Sequence, residues 1–232
     1  MRKLPYLGVP LALSVVGLYL WGGSPFYIGE PIEGWVVDAD TRMPLDGVVV
    51  VATWFKETVL SFHPHTVGPV MVLEAVTDGH GHFALPGWGP RLRGRGHPYY
   101  DDPQLLLFKS RYHPRAVGNM FPASPWNLRR RSDWNEKVID LTLYKGSLDD
   151  YARGITDLDT TNIENIAFRG TCWFRNIPRT LVALQLEKRR LERELHRPLF
   201  FGRSLDLPED PKTLANCGVG SIRAAVKGYI HD

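Results

Sequence analysis

The chain has 232 residues, 44% hydrophobic and 23% charged, with 18 prolines and 22 glycines, a globular composition that excludes a disordered, collagenous or multi-span membrane protein. Twenty-eight Lys and Arg against 25 Asp and Glu leave a formal charge of +3, too small a surplus for a dedicated nucleic-acid binder. No nucleic acid is therefore expected among the partners.

The first 29 residues differ from the rest. Arg2 and Lys3 precede a run from Leu4 to Gly29 without a charged residue, and Glu30, Glu33 and Asp38 follow before the next basic residue, Arg42. Basic residues stay on the cytoplasmic side, so this order directs the rest of the chain outward. The segment 1–29 reads as an apolar helix, either a single-span anchor or a cleaved signal peptide. Its most apolar part, Leu7 to Trp21, is shorter than the roughly 20 residues of a membrane span, with Tyr19, Trp21, Phe26 and Tyr27 placed to extend it at the interface. Against cleavage, Leu20 or Trp21 occupies the position where the processing site requires a small residue. The chain is expected in the cell envelope, on the periplasmic side of the inner membrane or released into the periplasm.

Residues 30–145 carry short β-branched or aromatic runs separated by Gly, Pro, Asp and Asn. Strands are expected at Ile32 to Asp38, Val48 to Phe55, Val70 to Thr77, His82 to Leu85, Gln104 to Lys109, Arg115 to Val117 and Lys137 to Tyr144. In the last of these, Ile139, Leu141 and Leu143 alternate with Val138, Asp140, Thr142 and Tyr144, which points the first set at a core.

Two motifs in this stretch resemble a known family. Gly34-Trp35-Val36-Val37-Asp38 with Thr41, Pro44-Leu45, Gly47-Val48 and Ala52-Thr53-Trp54 is similar to the opening of a carboxypeptidase regulatory-like domain, and Thr77-Asp78-Gly79-His80-Gly81-His82-Phe83 resembles its hairpin. In the hairpin, Asp78 can hold turn amides and Gly79 and Gly81 can supply positive φ; in the first motif, Pro44 and Gly47 close a turn. The resemblance implies a mainly β fold: a seven-stranded antiparallel transthyretin-like (prealbumin-like) β-sandwich, a module without catalytic residues of its own. Two long insertions, Lys56 to Pro69 and Gly87 to Asp102, depart from a minimal domain, and loops of that length are functional or mobile.

Residues 146–232 read as an α-helical extension. Thr161 and Glu164 have capping-box spacing, and Asn176 with Pro178 marks the start of a helix that Pro198 ends. Leu181, Leu184, Leu191 and Leu195 share one face of that helix, which is expected to dock on the sandwich or on the preceding helix. Cys172 and Cys217 are the only cysteines, and in an exported chain they are expected to form a disulfide; free buried thiols are the alternative.

The chemistry-bearing residues are few. His63 and His65, with His80 and His82, form two pairs that in principle supply a zinc site, although no Glu stands at a hydrolase spacing. The Asp157 to Phe168 stretch lacks the Gly and the terminal Glu of a calcium loop. No serine-nucleophile, Walker or dinucleotide motif occurs. Arg91, Arg93, Arg95 and Arg129 to Arg131 lie beside Tyr99, Tyr100, Trp126 and Trp134, the side chains best suited to hold a ligand. The expectation is a non-enzymatic binding or interaction module without a cofactor, its partner an unidentified protein or, alternatively, an envelope glycan. A zinc-dependent hydrolase is the remaining reading.

Overall fold

A computed structural model describes residues 26–57, 66–92, 97–98, 101–120, 129–158, 163, 166, 172–199 and 211–229. The strands are β1 (Phe26–Gly29), β2 (Ile32–Asp38), β3 (Val49–Glu57), β4 (Thr66–Val76), β5 (His82–Leu85), β6 (Trp88–Leu92), β7 (His97–Pro98), β8 (Gln104–Phe108), β9 (Arg115–Val117), β10 (Arg129–Arg130) and β11 (Lys137–Leu141). They form two three-stranded sheets, β10-β1-β6 and β11-β2-β5, and a five-stranded sheet of order β4-β3-β8-β9 with β7 on β3. The fold is mainly β, with helices α1 (Leu148–Leu158), α2 (Pro178–Leu195), α3 (Pro211–Asn216) and α4 (Ile222–Val226).

All seven expected stretches contain strands, but the seven-stranded antiparallel description needs correction. β1, β6, β7 and β10 are additional, and two pairings are parallel: β11 runs alongside β2 with Val138 opposite Trp35, and β10 alongside β1 with Ile28 opposite Arg129. Parallel pairing joins segments about a hundred residues apart, so no turn chemistry in the sequence signals it. β11 ends at Leu141, which leaves Ile139 and Leu141 buried and Leu143 exposed, against the expected inward face.

Two cores share the five-stranded sheet. Val50, Ala52 and Trp54 of β3 with Leu105 and Leu107 of β8 face the small sheets and pack on Val36, Phe83, Leu85, Ile139 and Leu141. Val49, Val51, Leu106 and Phe108 face the other way, onto Ile155 of α1 and Leu181, Leu184 and Leu191 of α2. α2 therefore docks on both the sandwich and the preceding helix. β3 is apolar on successive positions because both of its faces are covered.

Asn176 does not cap α2. Its Nδ2 donates to the Val72 carbonyl (3.0 Å), and Ile177 occupies the cap position without a side-chain bond. Glu74 of β4 replaces it, accepting from the Arg179 and Thr180 amides (3.0 and 2.7 Å) and the Thr180 hydroxyl (2.7 Å). Orphan amides at a helix N-terminus need an acceptor, and here it comes from the sheet. Burial raises the Glu74 carboxyl above its usual pKa despite these bonds.

Cys172 and Cys217 are joined, tying the approach to α2 to the segment after α3. Edge carbonyls are occupied by side chains: Arg91 Nη1 on Val70 (3.2 Å), Asn176 on Val72 and Arg115 Nη1 on Asp140 (2.7 Å). The apolar helix expected over 1–29 lies outside the described residues up to position 25, as does the Thr161–Glu164 capping box. Phe26–Gly29 is a strand, and Tyr27 is 1% exposed inside the sandwich, so it is not an interfacial extension of the apolar run. Among the described residues no helix is long and apolar enough to cross a membrane.

Candidate functional site

The two family-like motifs build one pole of the sandwich. Asp38 Oδ1 accepts from the amides of Asp40 and Thr41 (3.0 and 2.8 Å), and Asp78 Oδ1 from those of His80 and His82 (both 2.9 Å). These bonds, led by the Thr41 and His82 amides respectively, hold both carboxyls below their usual pKa. Thr77 Oγ1 accepts from the Val48 amide (2.8 Å) and donates to the Leu45 carbonyl (2.6 Å), locking the first turn to the second. Gly81 has φ +72°, and a Cβ there would lie 2.4 Å from the Val36 carbonyl oxygen, so both turns depend on this glycine.

The opposite pole is where the long connections leave. Glu57 pairs with Thr66 and with His97, which bounds 58–65 and 93–96 at the same end of β3, and Phe26 pairs with Leu92. Gly118 to Met120 lies there too, with the Asn119 amide donating to the Asp101 carbonyl (3.0 Å). Beneath this pole sits a buried polar cluster. Asp102 is 0% exposed and Arg130 is 2% exposed. Asp102 Oδ2 accepts from the Phe55 amide (2.9 Å) and from the Tyr27 hydroxyl (3.3 Å). The Arg130 guanidinium lies over the Tyr27 ring at 5.6 Å, Tyr27 stacks on Trp88 at 5.9 Å, and Trp88 meets Trp54 edge-on at 5.2 Å.

Asp102 Oδ1, Arg130 Nη1, Trp54 Nε1 and Trp88 Nε1 are buried and make no hydrogen bond. Arg130 and Asp102 are near enough for their charges to interact, yet they form no ion pair. A buried polar atom left unpaired costs about 1–3 kcal/mol, more if charged, so this cluster is a local loss that native folds rarely keep without use. Burial drives the Asp102 carboxyl well above its usual pKa; the Phe55 amide and Arg130 oppose that shift, and Asp101 adds to it. Asn119 fixes the frame, donating to the carbonyls of Asp102 (2.7 Å) and Arg131 (2.8 Å) and accepting from the Asp133 amide (2.8 Å).

Of the expected site residues, His63, His65, Tyr99, Tyr100 and Trp126 lie outside the described residues. His80 is exposed in its turn, and His82 packs on Trp35 (5.4 Å) with Nε2 3.7 Å from Glu33 Oε2. Glu57 and Thr66 pair at the far end of the β3–β4 hairpin from the Asp78–Gly81 turn. Among the described residues no three His, Cys, Asp or Glu side chains gather as metal ligands. Trp134 is half-buried: its Nε1 donates to the Gly118 carbonyl (2.9 Å) and Arg115 lies 5.6 Å over its ring. Arg130, read within a basic run beside ligand-holding aromatics, is buried, while its neighbours Arg129 and Arg131 are exposed on either side, the alternation of a strand. In the sequence Asp102 reads only as the end of an insertion and Tyr27 only as an interfacial residue, neither as part of a site. The available signal was that only Pro103 and Gln104 separate Asp102 from Leu105–Phe108, a run buried on both faces.

No family model matches the chain, and no curated protein matches it. Among solved structures, it is similar to a type II cohesin–X-dockerin complex from Acetivibrio cellulolyticus at 14% identity and TM-score 0.27, over 69% of this chain and 85% of that one. It is also similar to the C-terminal domain of a shaft pilin from Lactobacillus rhamnosus GG at 13% identity and TM-score 0.27, over 52% of this chain and 100% of that one. A 9R-lipoxygenase from Cyanothece follows at 10% identity and TM-score 0.26, over 82% of this chain and 29% of that one. At these scores nothing about fold or function is taken over from them.

Proposed function

We propose that the chain is a non-enzymatic interaction module of the cell envelope: an exported or anchored sandwich of the carboxypeptidase regulatory-like type that makes its contacts through the pole above Asp102 and Arg130. The observation that carries this reading is the unpaired Asp102–Arg130 cluster, placed under the pole where the long insertions leave. The opposite pole is closed by satisfied turns, and the Cys172–Cys217 disulfide suits an oxidising compartment. Photoreactive side chains at Met120, on the insertion pole and 76% exposed, and at Met43, on the closed pole and 64% exposed, test it in cells. Adducts from position 120 and none from position 43 are expected; the reverse pattern defeats the assignment.

A glycan-binding reading has one observation in its favour. Trp35 is 37% exposed in the middle of the open β11-β2-β5 face, flanked across the strands by Val138 and His82 and next to Glu33. An amphipathic ring beside a carboxylate and an imidazole suits a hydroxylated ring ligand. Retention on peptidoglycan that is unchanged by Trp35→Ala would remove this reading.

A further inference from the structure

The helical layer is charged unlike the sandwich. Its described residues 172–199 and 211–229 hold ten Lys and Arg against three Glu, while the rest of the chain is net acidic. Within α2 the acids are placed for particular partners. Lys188 faces Glu192 and Arg190 faces Glu194, each four residues on, and Glu187 takes the other side of Arg190. The row between these two differs: Arg189, Arg193 and Arg197 follow one another at the same spacing with no acid among them. Like charges at i and i+4 weaken a helix, so the row does not serve the stability of α2. The dipole at the C-terminus of α2 favours Arg193 and Arg197, but it fades within one turn and does not reach Arg189.

The row lines an open groove of about 790 Å³ together with Leu186, Glu192 and Pro198. Leu186, one turn before Arg189, is 51% exposed. Arg197 is held by Asp149 of α1, and Glu192 accepts from the Leu199 amide (3.0 Å). Arg193 Nε donates to the Arg189 carbonyl (3.2 Å), which leaves the rest of its guanidinium free. Neither Arg189 nor Arg193 has a carboxylate partner among the described residues.

From this row and its groove we infer a docking site for an acidic peptide segment of a partner protein, with two carboxylates on Arg189 and Arg193 and an apolar side chain on Leu186. Charge complementarity names the occupant. The two arginines stand about 6 Å apart along the axis, which matches carboxylates one helical turn apart or two residues apart in an extended segment. Glu192 in the lining selects a peptide over a continuous polyanion: an unbroken row of phosphates would meet that carboxylate, whereas a peptide can set a neutral residue there. Leu186 and Pro198 add apolar contacts that a phosphate surface does not return. The site shares no residue with the insertion pole, and neither assignment depends on the other.

The test is fluorescence anisotropy of a labelled peptide of repeated Glu-Leu-Ala-Glu with the full chain, against the same peptide with Gln in place of Glu. Arg189→Ala with Arg193→Ala should weaken binding of the acidic peptide roughly tenfold and leave the urea midpoint unchanged or raised. Arg42→Ala with Lys137→Ala, which removes two exposed cations of the sandwich, should leave binding unchanged. Equal weakening by the two double variants overturns the proposal, as does equal binding of the Gln peptide. Polyphosphate or phosphatidylglycerol vesicles that hold Arg189 and Arg193 more tightly than the peptide does overturn it in favour of a phosphate partner. Binding that appears only after Asp206→Asn, Glu209→Gln and Asp210→Asn also overturns it, because the groove is then held by acids of this chain.

Discussion

Glu187 and Asp102 are both carboxylates withdrawn from water, and their surroundings differ in every respect that matters. Glu187 of α2 accepts from Ser110 Oγ (2.6 Å), the Arg111 amide (3.2 Å), and Arg190 Nε and Nη2 (2.9 and 2.7 Å), with Arg190 held in turn by Glu194. The Arg111 amide is also held by the Tyr151 hydroxyl (2.8 Å), so α1, α2 and the turn after β8 meet at one satisfied charge. Asp102 has only one of its oxygens bonded, and the nearest cation is not paired with it. The first arrangement welds the helical layer to the sheet; the second leaves a local loss beneath the insertion pole. A buried charge is thus informative through its unfilled bonds as much as through its burial.

The largest effect expected from breaking this contrast is on the welded side. Glu187→Ala leaves Arg190 to Glu194 alone and takes the acceptor from Ser110 and the Arg111 amide, and should cost about 3–5 kcal/mol in urea unfolding, the usual loss when one member of a buried pair is removed. On the same side, Cys172→Ser with Cys217→Ser opens a loop spanning 45 positions and should cost about 4 kcal/mol by the chain-entropy estimate, read from the same midpoints. At the closed pole, Thr77→Val removes a hydroxyl that both accepts and donates, and about 1–3 kcal/mol of destabilisation is expected.

Asp102→Asn is the smallest and the most telling. It keeps the shape of the site and removes a charge that is poorly solvated, so stability at neutral pH should match or exceed that of the parent chain. The pH dependences sharpen the contrast because their signs are opposed. Asp102 titrates above its unfolded value, so its contribution is full below that value and is lost as pH rises through the raised folded pKa. For Glu187, burial alone would raise the pKa, but the bonds from Arg190 and Ser110 outweigh it and hold the carboxyl below its usual value. Its contribution is full above the unfolded pKa and is lost as pH falls through the lowered folded one. Stability measured against pH should therefore lose its decline toward neutrality in Asp102→Asn and its acid-side decline in a Glu187→Gln variant; unchanged curves would refute the assignment.

What the sequence disclosed followed the range of the interactions. The turns around Asp38 and Thr77 to Phe83 were legible because the carboxylates bond amides within four residues and Gly81 is fixed by its own φ. The disulfide followed from there being only two cysteines. The α2 cap was misread at Asn176 because its acceptor, Glu74, belongs to a strand about a hundred residues earlier. The Asp102 cluster was illegible for the same reason: it assembles Tyr27, Phe55, Trp88 and Arg130 from four strands, and no local pattern marks any of them as polar-core residues.

The occupied edge carbonyls of Val70, Val72 and Asp140 have a consequence for crowding. A sheet edge with free acceptors is a template on which a neighbouring copy can add a strand, and chains concentrated along a surface meet such edges repeatedly. With Arg91, Asn176 and Arg115 already on those acceptors, β4 and β11 offer a neighbouring copy fewer bonds with which to start such a strand.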